Sequence, residues 1–168
     1  MERLDWRAFE ERVGDYFEDR FGVDLSETKL QIGPDQHHKF DLVSPDEDLL
    51  IECKSFTWTD GENFPQAKIS TANETILFLS RAEADRKLLV MQDDVAPDGR
   101  SLVQTYADRY GGLTENIEVW QYLPEEDSPD TVTQLIGADD DGVSEHNRSP
   151  ETPQVKDDPE TDSSNTEH

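Results

Sequence analysis

The aromatic residues of this chain are confined to its first 123 positions, which limits the part that can fold around a core. The last aromatic side chain is Tyr122, and residues 124–168 are rich in Pro, Ser, Thr, Asp and Glu. Such a segment buries too little apolar surface to offset the entropy lost on ordering. We therefore expect one domain over residues 1–123 and an acidic, mostly disordered tail over residues 124–168. An apolar patch at 131–137, TVTQLIG, could add a strand or dock on the body.

Apolar periodicity within residues 1–123 predicts helices that alternate with strands. The first helix has apolar side chains at steps of three and four, and Gly22 follows where a C-terminal cap is expected. A second helix begins near Pro65, which suits a first helical turn. The predicted order of helix, three strands, helix, strand, helix and strand is typical of an α/β fold with a mixed sheet flanked by helices. The apolar stripe of the first helix is Trp6, Phe9, Val13, Tyr16, Phe17 and Phe21; the strands are 28–32, 39–44, 49–55, 87–92 and 117–123; the helices are 4–21, 65–85 and 101–110.

Acidic residues dominate the charge of the chain. There are 15 Lys and Arg against 40 Asp and Glu, which gives a formal net charge of −25. This balance argues against a basic protein that coats nucleic acid. An acidic excess with few lysines is favoured at molar salt, where the Debye length is about 3 Å, so we expect a halophile's protein. The alternative is a DNA mimic or acidic interaction protein, whose negative surface is itself the function.

The chain has one cysteine, Cys53, so it has neither an intrachain disulfide nor a multi-cysteine metal cage. Its N-terminus lacks the basic and apolar regions of a secretory signal. No apolar run approaches the ~18–20 residues of a membrane span. We therefore expect a cytoplasmic protein that does not associate with a membrane.

Two acidic residues interrupt segments that otherwise have the pattern of buried strands. Asp41 lies in FDLV, and Glu52 lies in LLIECKS. Strand alternation puts Glu52 and Lys54 on one face and Cys53 on the other, and a hairpin of the two strands would bring Asp41 beside Glu52. Carboxylates at the edge of a core are costly unless they neutralise each other or hold a metal, and hard oxygen ligands suit Mg²⁺ or Mn²⁺. The chemistry implied is metal-assisted hydrolysis of a phosphodiester; the plain alternative is a salt bridge between Glu52 and Lys54 on a solvated face.

Asp41, ten intervening residues and the Glu52-Cys53-Lys54 triplet resemble the motif of the PD-(D/E)xK nuclease superfamily, with Phe40 in place of the proline that names it. The resemblance implies a restriction-endonuclease-like αβββαβ core over roughly residues 5–92. It also implies the roles of the residues. Asp41, Glu52 and the backbone carbonyl of Cys53 would bind the metal, and Lys54 would act on the attacking water.

In that family a glutamate on the first helix often adds a further metal ligand, and two residues are candidates here. At 100° per residue, Glu10 lies about 60° from the centre of the apolar stripe and Glu11 about 160°. Glu10 therefore flanks the core, whereas Glu11 points to water. We expect Glu10 to be the additional ligand.

Several other residues have both a functional and an ordinary interpretation. Lys68, near the start of the second helix, is either a phosphate contact or an exposed lysine. Phe56 and Trp58 could stack on a base, although packing in a core is the commoner fate of aromatics. His37 and His38 could touch a phosphate or a metal, but a solvated loop pair is expected.

Together these observations predict a metal-dependent nuclease that hydrolyses phosphodiester bonds in DNA with Mg²⁺ or Mn²⁺. The expected partner is DNA, and a homodimer, a partner subunit or a structure-selective substrate are all compatible with the sequence. The alternative is a noncatalytic, acidic nuclease-fold interaction protein or a DNA mimic. A specific gain in stability on adding Mg²⁺ or Mn²⁺ would favour the nuclease.

Overall fold

The computed structural model describes residues 3–137, and the part of the predicted tail from residue 138 onward lies outside the described residues. Helices and strands alternate as an α/β fold with a six-stranded sheet. The elements are α1 (Trp6–Phe21), β1 (Ser26–Gly33), β2 (Gln36–Val43), β3 (Leu49–Ser55), α2 (Gln66–Arg81), β4 (Arg86–Gln92), α3 (Leu102–Tyr110), β5 (Glu118–Leu123) and β6 (Thr131–Ile136), with a 3₁₀ turn at Gly111–Leu113 after α3.

The sheet is open and mixed, and its strands follow one another in chain order from β1 to β6. β1, β2 and β3 are antiparallel neighbours, β3, β4 and β5 are parallel, and β6 returns antiparallel to β5. Parallel strands covered on both faces need apolar side chains at successive positions. This explains the continuous apolar run in β4 and the apolar first half of β3.

Helices cover both faces of the sheet. α1 packs on one face, and α2 and α3 pack on the other. The layer under α1 includes Phe9, Val13, Phe17, Ile51, Val90 and Trp120. The layer under α2 and α3 includes Phe40, Leu50, Ile69, Leu79, Leu89 and Tyr106.

The ends of α1 are set by local chemistry. Asp5 caps its start by accepting hydrogen bonds from the backbone N–H groups of Arg7 and Ala8, and Gly22 ends it at φ 65°. One member of the predicted apolar stripe is misplaced, because Trp6 is 63% exposed. It is the first residue of the helix and lines a surface groove instead of the core. None of the helices within residues 3–137 is long and apolar enough to cross a membrane.

The apolar patch after residue 123 adds a strand to the sheet. Thr131–Ile136 pairs with β5 along its length. The connecting segment is anchored by Asp130, whose carboxylate accepts hydrogen bonds from Arg12 and from the hydroxyl of Tyr122. The ordered sheet therefore continues past Leu123, where we expected the domain to end.

β2 contains a bulge in its pairing with β1, close to the residues through which it pairs with β3. Ser26 pairs with Val43, but Thr28 pairs with Phe40, so β2 has one residue more than β1 across this interval. The extra residue breaks alternation: Phe40 packs in the α2 layer, whereas Leu42 packs in the α1 layer. β2 pairs with β3 only at Leu42 and Val43, and the two strands diverge toward the start of β2. Bulges of this kind re-aim side chains and interrupt strand pairing.

Candidate active site

Asp41 lies in the β2 bulge. Its side chain forms a hydrogen bond to β3 at a point where the backbones of β2 and β3 do not pair. One of its carboxylate oxygens accepts a hydrogen bond from the backbone N–H of Cys53 at 2.8 Å. A side chain thus joins the two strands where their backbones no longer pair. The bond fixes the Asp41 carboxylate beside the Glu52-Cys53-Lys54 segment.

Glu52 is the buried acid of the site. Only 3% of the residue is exposed. Burial is the main cause that raises the pKa of Glu52 to about 9; a hydrogen bond with Asp41 and the charges of Asp41 and Glu10 raise it further, while Lys54 opposes the shift. Glu52 therefore holds a proton near neutral pH, because the charge of Lys54 offsets only part of the cost of burying an ionised acid.

His38 contacts Glu52 across the gap between β2 and β3. Its Nε2 lies 2.7 Å from Oε1 of Glu52. The ring stacks on Phe78 of α2, with centroids 4.3 Å apart, and meets Phe40 edge to face. Burial lowers the pKa of His38, with a smaller effect of Lys54 in the same direction and opposing effects of Asp41 and Glu74. The imidazole is therefore neutral at pH 7 and forms a hydrogen bond, not an ion pair, with Glu52.

The expectation of a solvated histidine loop was wrong for His38. Both histidines belong to β2, and only His37 is exposed. His38 lies two residues before Phe40, so strand alternation places both on the α2 face. That spacing is visible in the sequence, but the partner of His38 depends on the register between two strands.

Glu10 approaches the site from α1. It is half-buried, and its pKa is raised by burial and then by the nearby charges of Asp41 and Glu27. Glu11, the other candidate, is exposed. The structure therefore brings Glu10 toward the Asp41 and Glu52 carboxylates and leaves Glu11 in solvent.

Lys54 and Cys53 complete the triplet. Among the described residues, no carboxylate lies within 4.0 Å of the Lys54 ammonium, so the plain alternative of a Glu52–Lys54 salt bridge is not formed. Its charge nevertheless acts on both Glu52 and His38. Cys53 packs against the α1 layer, and burial raises the pKa of its thiol well above the usual value. A protonated thiol is a poor metal ligand and nucleophile, so the backbone carbonyl is the group that Cys53 offers.

The donor atoms of this cluster suit a hard divalent cation. Asp41, Glu52 and Glu10 offer carboxylate oxygens, and Cys53 offers a carbonyl. Within residues 3–137 no group of three or more His, Cys, Asp or Glu side chains is placed so that it could hold a metal ion, so the fit rests on the chemistry of the donor atoms alone. The raised pKa values of Glu10 and Glu52 support it, because clustered acids of this kind are what a bound cation would neutralise.

The other sequence candidates lie outside this cluster. Phe56 and Trp58 are buried, and the indole N–H of Trp58 donates to the backbone carbonyl of Asp94 at 2.9 Å, so they pack instead of stacking on a base. Lys68 is exposed in the first turn of α2. Arg86, the basic residue at the start of β4, lies across from Leu49 at the far end of β3.

A polar cluster behind Lys54 was not predicted. The Gln92 amide donates to Ser55 Oγ at 2.8 Å, and it also pairs with the backbone N–H and C=O of Leu4. Arg3 donates to Ser55 Oγ as well, at 2.9 Å. These bonds tie the start of the chain to the end of β3, directly after Lys54. Nothing in the local sequence pattern indicates them.

No protein-family model, curated protein or solved structure matches this chain. The candidate function therefore rests on the residues and geometry of the site.

Proposed function

We propose that this protein is a metal-dependent nuclease that hydrolyses phosphodiester bonds in DNA, with a restriction-endonuclease-like core of the PD-(D/E)xK type. In this proposal Asp41, Glu52 and the carbonyl of Cys53 hold Mg²⁺ or Mn²⁺, with Glu10 as a further ligand. Lys54 acts on the attacking water.

One observation carries the proposal: the Asp41 carboxylate meets the buried Glu52 carboxylate where β2 diverges from β3, with Lys54 two residues further along the strand. A buried acid whose pKa is raised by burial and by a neighbouring carboxylate is costly to stability when it is ionised, and such groups are concentrated at functional sites. The order α1, β1, β2, β3, α2, β4 also agrees with the αβββαβ core that the motif implies.

The chain's own residues hold the site in place. The N–H of Cys53 fixes Asp41, and the hydrogen bond from His38 fixes one oxygen of Glu52 when that acid is ionised. A bound Mg²⁺ or Mn²⁺ would lower the pKa of a water molecule and offset negative charge on the phosphate.

Lys54 supplies the positive charge that the carboxylates lack. Because no described carboxylate lies within 4.0 Å of it, its ammonium is available to orient the attacking water or to stabilise charge that develops on the phosphate. Lys54 lies two residues after Glu52 in β3, so strand alternation places the two side chains on the same face.

The test is a cleavage assay near molar KCl with Mg²⁺ or Mn²⁺, on single-stranded, duplex and branched DNA and on RNA. Lys54→Ala should lower the cleavage rate about 100-fold or more, the usual contribution of a positioned proton-transfer group. Lys29→Ala, which removes an exposed lysine from β1, is the matched control and should cleave like the parent. Equal rates for Lys54→Ala and the parent would contradict the mechanism.

The net charge of −25 favours a second candidate, a noncatalytic acidic protein that binds other proteins or mimics DNA. The two proposals differ in their response to metal. A cation site should raise the unfolding free energy when Mn²⁺ is added, and Asp41→Asn should remove this gain. A mimic should show the same metal response with and without Asp41.

A further inference from the structure

Trp6 differs from the other two tryptophans of the chain. Trp58 and Trp120 are buried, whereas Trp6 is 63% exposed. An indole of this size contributes a large apolar face, and tryptophans are highly buried on average. A ring that remains in water at the start of a helix is available to a ligand.

The position of Trp6 connects it to the proposed active site. Trp6 and Glu10 are four residues apart in α1, so they lie on the same helix face, about one turn apart. Both line a groove whose other wall includes Leu42, the residue after Asp41. Glu10 is also a proposed metal ligand, so the groove reaches the edge of the proposed site.

Most charges around the groove are negative, so a nucleotide would contact it through the face of its base and not through a phosphate. Arg7 places its guanidinium 5.1 Å from the centre of the Trp6 ring, so one cation accompanies the aromatic face. The groove continues along Glu11, Asp15 and Glu18, which repel phosphates. Stacking on an aromatic ring needs no net positive charge, whereas phosphate binding weakens steeply with salt.

We propose that Trp6 and Arg7 form a stacking platform for an unpaired DNA base, so that the substrate carries single-stranded nucleotides beside the scissile phosphate. This inference rests on the proposed nuclease function for its link to catalysis, but the binding itself does not depend on metal. In a continuous duplex both faces of each internal base are covered by neighbouring bases. A platform of this kind therefore selects strand ends, flaps and single strands.

The experiment uses the full chain in EDTA, near molar KCl, so that binding is measured without cleavage. Acrylamide should quench Trp6 fluorescence in the free protein, and a short oligo(dT) should protect it. Anisotropy of labelled oligo(dT) then measures affinity. We expect Trp6→Leu to bind about tenfold more weakly, Trp6→Phe to retain most of the affinity, and a blunt duplex of the same length to bind poorly. Leu113→Ala, which trims another exposed apolar residue (65% exposed), should bind like the parent.

Any of three results would overturn the platform. The first is an absence of quenching of Trp6 in the free chain, which would mean that another segment covers the groove. The others are equal affinity of the parent and Trp6→Leu for oligo(dT), and equal protection of Trp6 by the duplex and by oligo(dT). These results leave the proposed nuclease intact if the parent still cleaves DNA and Lys54→Ala does not. Conversely, binding that depends on Trp6 without metal-dependent cleavage would support the platform and contradict the nuclease.

Discussion

Two glutamates in neighbouring parts of the sheet are equally buried, yet their surroundings differ. Glu52 and Glu118 are each 3% exposed. Arg86 donates two hydrogen bonds to Glu118, at 2.7 and 2.9 Å, so this acid has a fixed cation beside it. Glu52 has a neutral imidazole and other carboxyl groups beside it, and its pKa rises to about 9. Glu118 is therefore a structural acid, because Arg86 compensates its charge within the fold. Glu52 lacks such a partner and is suited to bind a cation.

The largest expected effect concerns pH. Folding raises the pKa of Glu52 from about 4.5 to about 9, so the folded chain binds the extra proton and stability falls as pH rises through this window. Between about pH 5 and pH 8 the loss should reach as much as about 4 kcal/mol. Chemical denaturation across this range should show a smaller decline for Glu52→Gln, which cannot ionise. Parallel curves for the parent and this variant would mean that Glu52 is already compensated.

A smaller effect is expected when Arg86, the partner of Glu118, loses its positive charge. Arg86→Met keeps most of the aliphatic side chain but leaves the Glu118 carboxylate buried without its partner. The variant should lose about 3 kcal/mol of unfolding free energy, the lower end of the usual range because Arg86 is partly exposed. The double variant Arg86→Met, Glu118→Gln should recover part of this loss, and thermal or urea unfolding measures both. A negligible loss in the single variant would remove the contrast between the two acids.

The smallest effect tests how His38 positions Glu52. His38→Phe keeps an aromatic ring to stack on Phe78 but loses the hydrogen bond to Glu52. Mn²⁺ affinity should fall about tenfold, as is usual when an outer partner of a metal ligand is lost. His38→Gln should restore part of the affinity, because its amide can donate to the same oxygen. His37→Gln, at an exposed position on the same strand, is the control, and equal weakening in this variant would argue against a specific role for His38.

The sequence was sufficient for most of the elements because their signals are local. α1 ends at Gly22, a residue that adopts the left-handed conformation of a C-terminal cap, and β4 has the continuous apolar run of a covered strand. The exposure of Trp6 was not predictable from the same stripe. Periodicity indicates which face of a helix is apolar, but not how far the core extends beneath it.

The site was predictable only in part, because its geometry depends on strand register. The placement of Asp41 beside Glu52 follows from a hairpin of two short strands. The bulge in β2 is a mismatch between the pairing of Ser26 with Val43 and of Thr28 with Phe40, which no local pattern shows. The bond of His38 to Glu52 likewise joins residues on two strands that have already diverged at that point.

The central claim is that Asp41 and Glu52 together bind a divalent cation, and calorimetric titration of Mn²⁺ tests it most directly. The titration uses the full chain near molar KCl, which suppresses weak binding to surface acids. Asp41→Asn removes a proposed ligand, and Asp19→Asn removes an exposed acid of α1 as the matched control. The account predicts one saturable Mn²⁺ site in the parent and in Asp19→Asn, and its loss in Asp41→Asn. Equal saturable binding in all three proteins, or none in the parent, would contradict it.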